Sequence, residues 1–200
     1  MTFAEALRRF VEAGNSFEGT MPPPDADVNM TFEGAGSHLV IGAGVTFRHA
    51  QIRFMSGGCV IRIGAGTRMS TFLAVEEGGS IEIGPDTVFT AAGKIMAVEG
   101  RKVTIGARCL LSDVRMRTSD SHSIIDAKTR ERLNPARDIR IGDDVWIAED
   151  VRIYKGVEVG EGCIVAARST LTRSLPPRTL SAGTPARVIR EDVAWVRERL

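Results

Sequence analysis

A six-residue beat constrains this chain more than any other feature. Ile141, Ile147, Ile153, Val159, Val165 and Leu171 stand six apart without a break. Four positions after each comes Val145, Val151, Val157, Cys163, Ser169 or Leu175. The residue directly after the first member is often small, as at Gly142, Ala148, Gly160 and Ala166. A period of six matches neither the 3.6 of an amphipathic helix nor the alternation of a strand meander. It predicts a hexapeptide β-helix, in which each unit is one short side of a triangular coil.

An Ile-Gly pair carries the rhythm towards the N-terminus, at Ile41-Gly42, Ile63-Gly64, Ile83-Gly84, Ile105-Gly106 and Ile141-Gly142, with Val159-Gly160 after them. The steps are 22, 20, 22, 36 and 18 residues. A step of 18 is one clean coil of three hexapeptides, and the earlier steps are coils with two to four extra residues at a corner. The step of 36 leaves room for one coil and an insertion of similar size. That insertion, near 118–138, holds Ser119-Asp120-Ser121-His122-Ser123, is polar and lacks the repeat. It is expected to project from the prism as a loop.

The expected fold is all-β: a left-handed parallel β-helix with short N- and C-terminal helices. Residues 1–29 read as a helix and linker, 30–187 as the β-helix with its inserted loop, and 188–200, with Trp195, as a helical cap. Phe3, Ala6, Leu7, Phe10 and Val11 share one face of the first helix, which Gly14 stops. The turn Met21-Pro22-Pro23-Pro24-Asp25 leads the chain onto the prism. In the coil, the first aliphatic residue of each unit points inward and stacks on its equivalents about 4.8 Å above and below. The small residue beside it lets the chain turn a corner with unusual dihedrals. About seven coils would make a column roughly 35 Å tall. The left hand follows from related folds and departs from the usual right-handed crossover.

The net charge of +1 gives no electrostatic reason to expect nucleic acid or an anionic membrane as partner. No apolar run approaches the roughly 18 residues of a membrane span, so an integral membrane protein is not expected. Cys59, Cys109 and Cys163 fall in phase with inward positions. Three singly buried cysteines argue against a disulfide framework and for a reducing, cytoplasmic setting, with each thiol a small hydrophobe and no metal site.

Three histidines are present. His38 and His49 fall near corners or on the surface of the weakly repeating region, where a solvated role suffices. His122 stands in the polar insertion, beside Asp120, in a loop that breaks an otherwise regular wall. Such a loop is where a prism carries function.

The stretches Lys102-Val103-Thr104-Ile105-Gly106, Thr118-Ser119-Asp120-Ser121-His122, Ile141-Gly142-Asp143-Asp144-Val145-Trp146-Ile147-Ala148, Gly156-Val157-Glu158-Val159-Gly160 and Ala182-Gly183-Thr184-Pro185-Ala186-Arg187-Val188-Ile189 resemble the hexapeptide acyltransferases. The branch is that of maltose, galactoside and capsular or lipopolysaccharide sugar O-acetyltransferases. The resemblance is strong over residues 102–190 and diffuse over 30–100. It implies direct acetyl transfer from acetyl-CoA to a hydroxyl of a sugar or glycan acceptor, in surface polysaccharide biosynthesis. His122 matches the family's general base, which takes the acceptor proton and can return it to the departing CoA sulfur. Such a base contributes typically 10²–10⁴-fold. Asp120 would orient the imidazole. Ala148 and Ala166 match small residues that leave backbone open to pantetheine, and Arg173 and Arg187 match basic positions near the CoA phosphates. Trp146 precedes the inward Ile147 and so faces outward, in a ligand groove or a subunit interface. The family forms homotrimers with sites between neighbours.

One departure stands out. Maltose-type enzymes carry an oxyanion-stabilising asparagine before the Lys-Val-Thr-Ile-Gly stretch, and this chain has Ala92-Gly93-Lys94 there. The alternatives are an amino-sugar N-acetyltransferase, a serine O-acetyltransferase and a non-catalytic β-helix scaffold. A zinc hydratase on the same fold would need a second histidine five residues from the first, which His122 lacks.

Overall fold

The computed structural model describes residues 2–198. It is a parallel β-solenoid of three walls. The first wall stacks Ser16–Gly19, His38–Ile41, Val60–Ile63, Ser80–Ile83, Lys102–Ile105, Ile139–Ile141 and Glu158–Val159. The second stacks Thr46–Phe47, Arg68–Met69, Val88–Phe89, Leu110–Leu111, Trp146–Ile147, Ile164–Val165 and Leu180–Gly183, with Ala186–Arg190 returning antiparallel beside the last. The third stacks Val28–Phe32, Ala50–Phe54, Phe72–Val75, Lys94–Ala97, Arg115–Arg117, Arg152–Tyr154 and Thr170–Leu171. From His38 onward each coil visits the walls in that order, whereas the first passes from Ser16–Gly19 to Val28–Phe32 without a second-wall strand.

Register explains the six-residue beat. Ile41, Ile63, Ile83, Ile105, Ile141 and Val159 are successive partners up the first wall. Met69, Phe89, Leu111, Ile147 and Val165 rise behind the second, and Ile52, Leu73, Ile95, Met116, Ile153 and Leu171 behind the third. One coil alone cannot bury such a face, so stability comes from neighbour stacking. Ile105 pairs directly with Ile141, so the step of 36 is one coil carrying the insertion.

The glycine after each wall-one isoleucine corrects the dihedral expectation. None of Gly42, Gly64, Gly84, Gly106, Gly142 or Gly160 has positive φ. A Cβ on Gly84 would lie 2.6 Å from the Ala107 nitrogen of the next coil, so close approach is what excludes a side chain. The left-handed turn sits two residues on, at Gly44, Gly66, Asp86, Arg108, Asp144 and Gly162. There an amide ladder climbs the corner, as in Asp86 N to Ala65 O, 2.9 Å, and Arg108 N to Pro85 O, 2.8 Å.

The N-terminal helix α1 spans Phe3–Glu12, with Thr2 and Glu5 forming a capping box. Phe3, Ala6, Leu7 and Phe10 close the bottom of the column, and Phe10 meets Phe54 at 4.9 Å between centroids. Val11, assigned to the same face, is 48% exposed. The solenoid begins at Ser16 rather than near residue 30, because Ser16–Gly19 already pairs with His38–Ile41.

The expected C-terminal helix is replaced by extended chain. Val188 and Ile189 lie in the return strand, and the next residues form a strap down the corner between first and second walls. Val193 N bonds Arg178 O at 3.1 Å, Trp195 Nε1 bonds Asp144 O at 2.6 Å and Arg197 Nη2 reaches Asp86 O at 3.4 Å. These bonds use corner carbonyls in place of the i−4 carbonyls a helix needs. Residues 199 and 200 lie outside the described residues.

Candidate active site

The insertion leaves the prism at Thr118, directly after the third-wall strand Arg115–Arg117. Thr118 is buried and exchanges hydrogen bonds with both backbone groups of Val98, at 2.9 Å each. The loop is then held from the coils on either side. From below, Glu99 accepts from Ser119 and receives the Arg132 guanidinium at 2.7 and 3.0 Å. From above, Lys155, directly after Tyr154, the register partner of Arg117, donates to Asp120 Oδ2 at 2.5 Å and to Asn134 O at 2.8 Å. Asn134 joins both limbs: Nδ2 donates to Asp120 Oδ2 at 2.8 Å and to His122 O at 2.9 Å, while Oδ1 accepts from Ile124 N at 2.6 Å.

The electrostatics follow from these partners. Hydrogen bonds from Arg132 and then Ser119 pull the Glu99 carboxyl down to about 2. Lys155 and Asn134 hold Asp120 below the usual carboxylate range. Both acids are therefore anchored as carboxylates.

Asp120 accordingly spends its oxygen on Lys155 and Asn134. Among the described residues, the His122 ring has no hydrogen-bond partner and is exposed. Asp120 meets His122 only through Asn134 and the backbone. Its sequence neighbours Ser121 and Ser123 line a polar recess of about 580 Å³ together with Ser119, Arg117, Arg132, Glu76, Glu77 and Glu99, and the His122 ring is not part of that lining.

Three assigned residues meet on the second wall. Trp146 lies between Leu110 and Ile164 in an outward apolar row. Ala148 and Ala166 follow the adjacent strands, each donating its amide to the next coil, to Val165 O and Ser181 O, both at 2.9 Å. Together they form a flat strip with little side chain to obstruct a ligand. Arg187, in the return strand opposite Ala182, shares this wall. Arg173 does not: it lies in the turn after Thr170–Leu171, across the prism. Trp195 of the strap tilts onto Trp146 at 6.1 Å, above a groove of about 1060 Å³ that Arg68, Arg108 and Arg178 also line.

Sequence reasoning missed Glu99, Arg132, Asn134 and Lys155. The cysteines are buried and free, and burial pushes the Cys109 thiol up to about 11, which disfavours a nucleophilic thiolate. In the Ala92-Gly93-Lys94 stretch, Gly93 N is committed to Thr71 Oγ1 and Lys94 N to Val114 O. His38 is bonded to Ser16 and His49 is paired with Asp27, both away from the loop.

The corner from which the loop departs is opposite the second wall. One chain therefore keeps His122 on one side and Trp146, Ala148 and Ala166 on the other.

Comparison with known proteins adds to this geometry. The family model for the bacterial transferase hexapeptide, six repeats, matches residues 138–173. The chain is 32% identical over 138 residues to the polysialic acid O-acetyltransferase of Escherichia coli O1:K1, covering 68% of this chain and 45% of that protein. It is 32% identical over 114 residues to the galactoside O-acetyltransferase of Escherichia coli K12, covering 57% of this chain and 55% of that protein. The chain thus spans about half the length of the curated relatives it matches. The crystal structure of the polySia-specific acetyltransferase NeuO superposes with a TM-score of 0.82 at 28% identity, covering 92% of this chain and 86% of that one. Rungs six residues apart, a three-walled column and these likenesses agree: the chain resembles the hexapeptide-repeat transferases, whose family model it matches over residues 138–173.

Proposed function

We propose that this protein is an acetyl-CoA-dependent O-acetyltransferase acting on a sugar hydroxyl of a surface glycan, and that it works as a homotrimer. The observation that carries the reading is the His122 loop: a solvent-facing imidazole on a loop pinned by coils above and below. Lys155 and Asn134 at one side and Glu99 at the other fix the base of that loop. A positioned base of this kind is what direct transfer needs.

His122 takes the proton of the acceptor hydroxyl as its oxygen attacks the thioester carbonyl. The new C–O bond forms, the C–S bond breaks, and the same proton passes to the departing sulfur. No covalent enzyme intermediate is needed. The second wall is the bed for pantetheine: Ala148 and Ala166 leave backbone accessible, Trp146 supplies an apolar flank, and Arg187 reaches for phosphate. Arg173 lies apart from that bed, at the corner between third and first walls from which the His122 loop also departs, and so stands on the loop side of such a site. Because His122 and Trp146 occupy opposite sides of one prism, a neighbouring copy supplies the second wall to each loop. The relatives named for polysialic acid and galactoside acetylation favour a sugar acceptor.

The test is His122→Ala, assayed by thiol release from acetyl-CoA against sugars, glycans, amino sugars and serine. The variant should lose about 10²–10⁴-fold in kcat, with CoA affinity by calorimetry unchanged. Turnover at the wild-type rate would refute the base, and absence of CoA binding by the wild type would favour a scaffold. Transfer to an amino group in preference to every hydroxyl would reassign the reaction.

A further inference from the structure

The three walls present different chemistry to solvent, although the chain as a whole is nearly neutral. On the first wall, Glu18, Arg62, Glu82, Arg140 and Glu158 mix signs, and Arg140 pairs with Glu158 at 3.5 Å. The second wall shows the apolar row Leu110, Trp146, Ile164 and Leu180 in its later coils. The third wall is basic. Its register places Lys94, Arg115 and Arg152 one above another, with Arg117 beside Tyr154 in the next row.

Successive rungs are about 4.8 Å apart, so these cations form a column about 10 Å long. Like charges stacked on one sheet face oppose folding. Among the described residues, the acid within ion-pair reach of the column is Asp113, 3.9 Å from Arg115. Lys94 also lies over the Phe72 ring at 5.4 Å. The solenoid needs none of these charges, because its stability comes from inward rungs. A column of three cations with so little acid beside it is the footprint of a bound polyanion.

Location narrows the partner. Lys94, Met96, Arg115, Arg117, Arg152 and Tyr154 line a shallow groove of about 220 Å³. Arg117 also lines the recess bounded by Ser119, Ser121 and Ser123 of the His122 loop and by the Glu99–Arg132 pair. The groove and the recess therefore meet at one guanidinium, at the root of the catalytic loop. The column spans more than a single sugar ring, and exposed Tyr154 offers a flat face for one. Glu76 and Glu77 also line the recess, and their charge disfavours entry of an anionic chain there, which keeps it on the wall.

We propose that the third wall is the binding track of an anionic glycan acceptor, whose repeated carboxylates are held by Lys94, Arg115 and Arg152 while Arg117 leads one sugar hydroxyl to His122. This rests on the acetyltransferase reading above. Guanidinium forks suit carboxylates, and a chain of anions releases counterions along the whole column.

The experiment compares full-length wild type with Lys94→Ser/Arg115→Ser/Arg152→Ser, and with Arg115→Ser alone should the triple variant fail to fold. Each is titrated with fluorescent oligosialic and oligogalacturonic acids, and with their carboxyl-reduced neutral counterparts, at 20 and 200 mM NaCl. CoA affinity and sedimentation are measured in parallel. The wild type should bind at least one anionic oligosaccharide at least tenfold tighter than its neutral counterpart, and more weakly in high salt. The triple variant should lose at least tenfold of that affinity while keeping its CoA affinity and oligomeric state, with a melting temperature no lower than that of the wild type. Equal binding of charged and neutral glycans, or equal binding by variant and wild type, would overturn the track. So would weakened CoA binding in the variant, which would assign the column to the coenzyme phosphates, or altered sedimentation, which would assign it to a subunit contact. Failure of the acetyltransferase reading is distinguishable, because a wild type that binds anionic glycan but not CoA keeps the track and loses the enzyme.

Discussion

Asn134 sends its amide hydrogens to Asp120 and to the His122 carbonyl while its oxygen accepts the Ile124 amide. It is buried, so each lost bond leaves a group unsatisfied where water enters poorly. Asn134→Leu keeps the volume and removes all three bonds. Loosening of the loop by about 1–3 kcal/mol is expected. Amide exchange at Ile124 should accelerate and kcat/KM should fall, with CoA affinity and melting temperature little changed. Unaltered exchange at Ile124 would show that the loop is held by its ion pairs alone. The Glu99 anchor adds a pH dependence. Its carboxyl titrates near 2 in the folded protein, below the ordinary value of 4.5, because Arg132 and Ser119 favour the charged form. A lowered carboxyl pKa stabilises above the ordinary value, and the stabilisation is lost as pH falls from about 4.5 towards 2. Protection of the Ser121 amide, relative to the rungs, should drop across that window, and Glu99→Gln should flatten the drop. A loop equally protected at pH 2 and pH 6 would contradict the role given to Glu99.

Among the elements, the coil corner is where packing tolerates least. Gly84 faces the Ala107 nitrogen so closely that a methyl group must displace backbone. Gly84→Ala should destabilise by about 1–3 kcal/mol as overpacking, seen as a lower denaturant midpoint with unchanged slope. The same substitution at Gly58, where a Cβ meets nothing within 4 Å, tests the other constraint, since only its positive φ of 72° resists a side chain. This division was not legible in the sequence, which marks both kinds of glycine with one letter. The inward rungs were legible, because two residues in every six facing a common core write their period directly into the chain. The early coils read faintly because extra residues, such as Ser56-Gly57-Gly58 and Glu76-Glu77-Gly78, enter between the third and first walls and shift the phase. His122 was visible as chemistry in a segment without rhythm. Its supports were not: Glu99 and Lys155 reach it through register, from coils about 20 to 35 residues away in sequence. The strap was missed for a related reason, since extended chain bonded to corner carbonyls has no period of its own.

For the whole molecule, the arrangement of sides decides what an active unit is. In the proposed reading the base stands at one corner of the prism and the coenzyme bed on the opposite wall, and such a prism cannot close a site on itself. Three copies arranged head to tail can close three, each made from one copy's loop and the next copy's wall. This makes a prediction that local geometry cannot imitate. His122→Ala and Trp146→Ala should each be nearly inactive as pure trimers, since every site lacks one half. When the two are unfolded together at equal concentration and refolded, random assortment pairs a wild-type loop with a wild-type wall at about a quarter of the interfaces. Roughly a quarter of wild-type activity should return, and sedimentation should report the same trimer throughout. If each chain instead held a complete site, every site in the mixture would still lack either imidazole or indole, and no activity would return. Refolding each variant alone controls for recovery, and varying the mixing ratio should give a symmetric curve with its maximum at equal amounts.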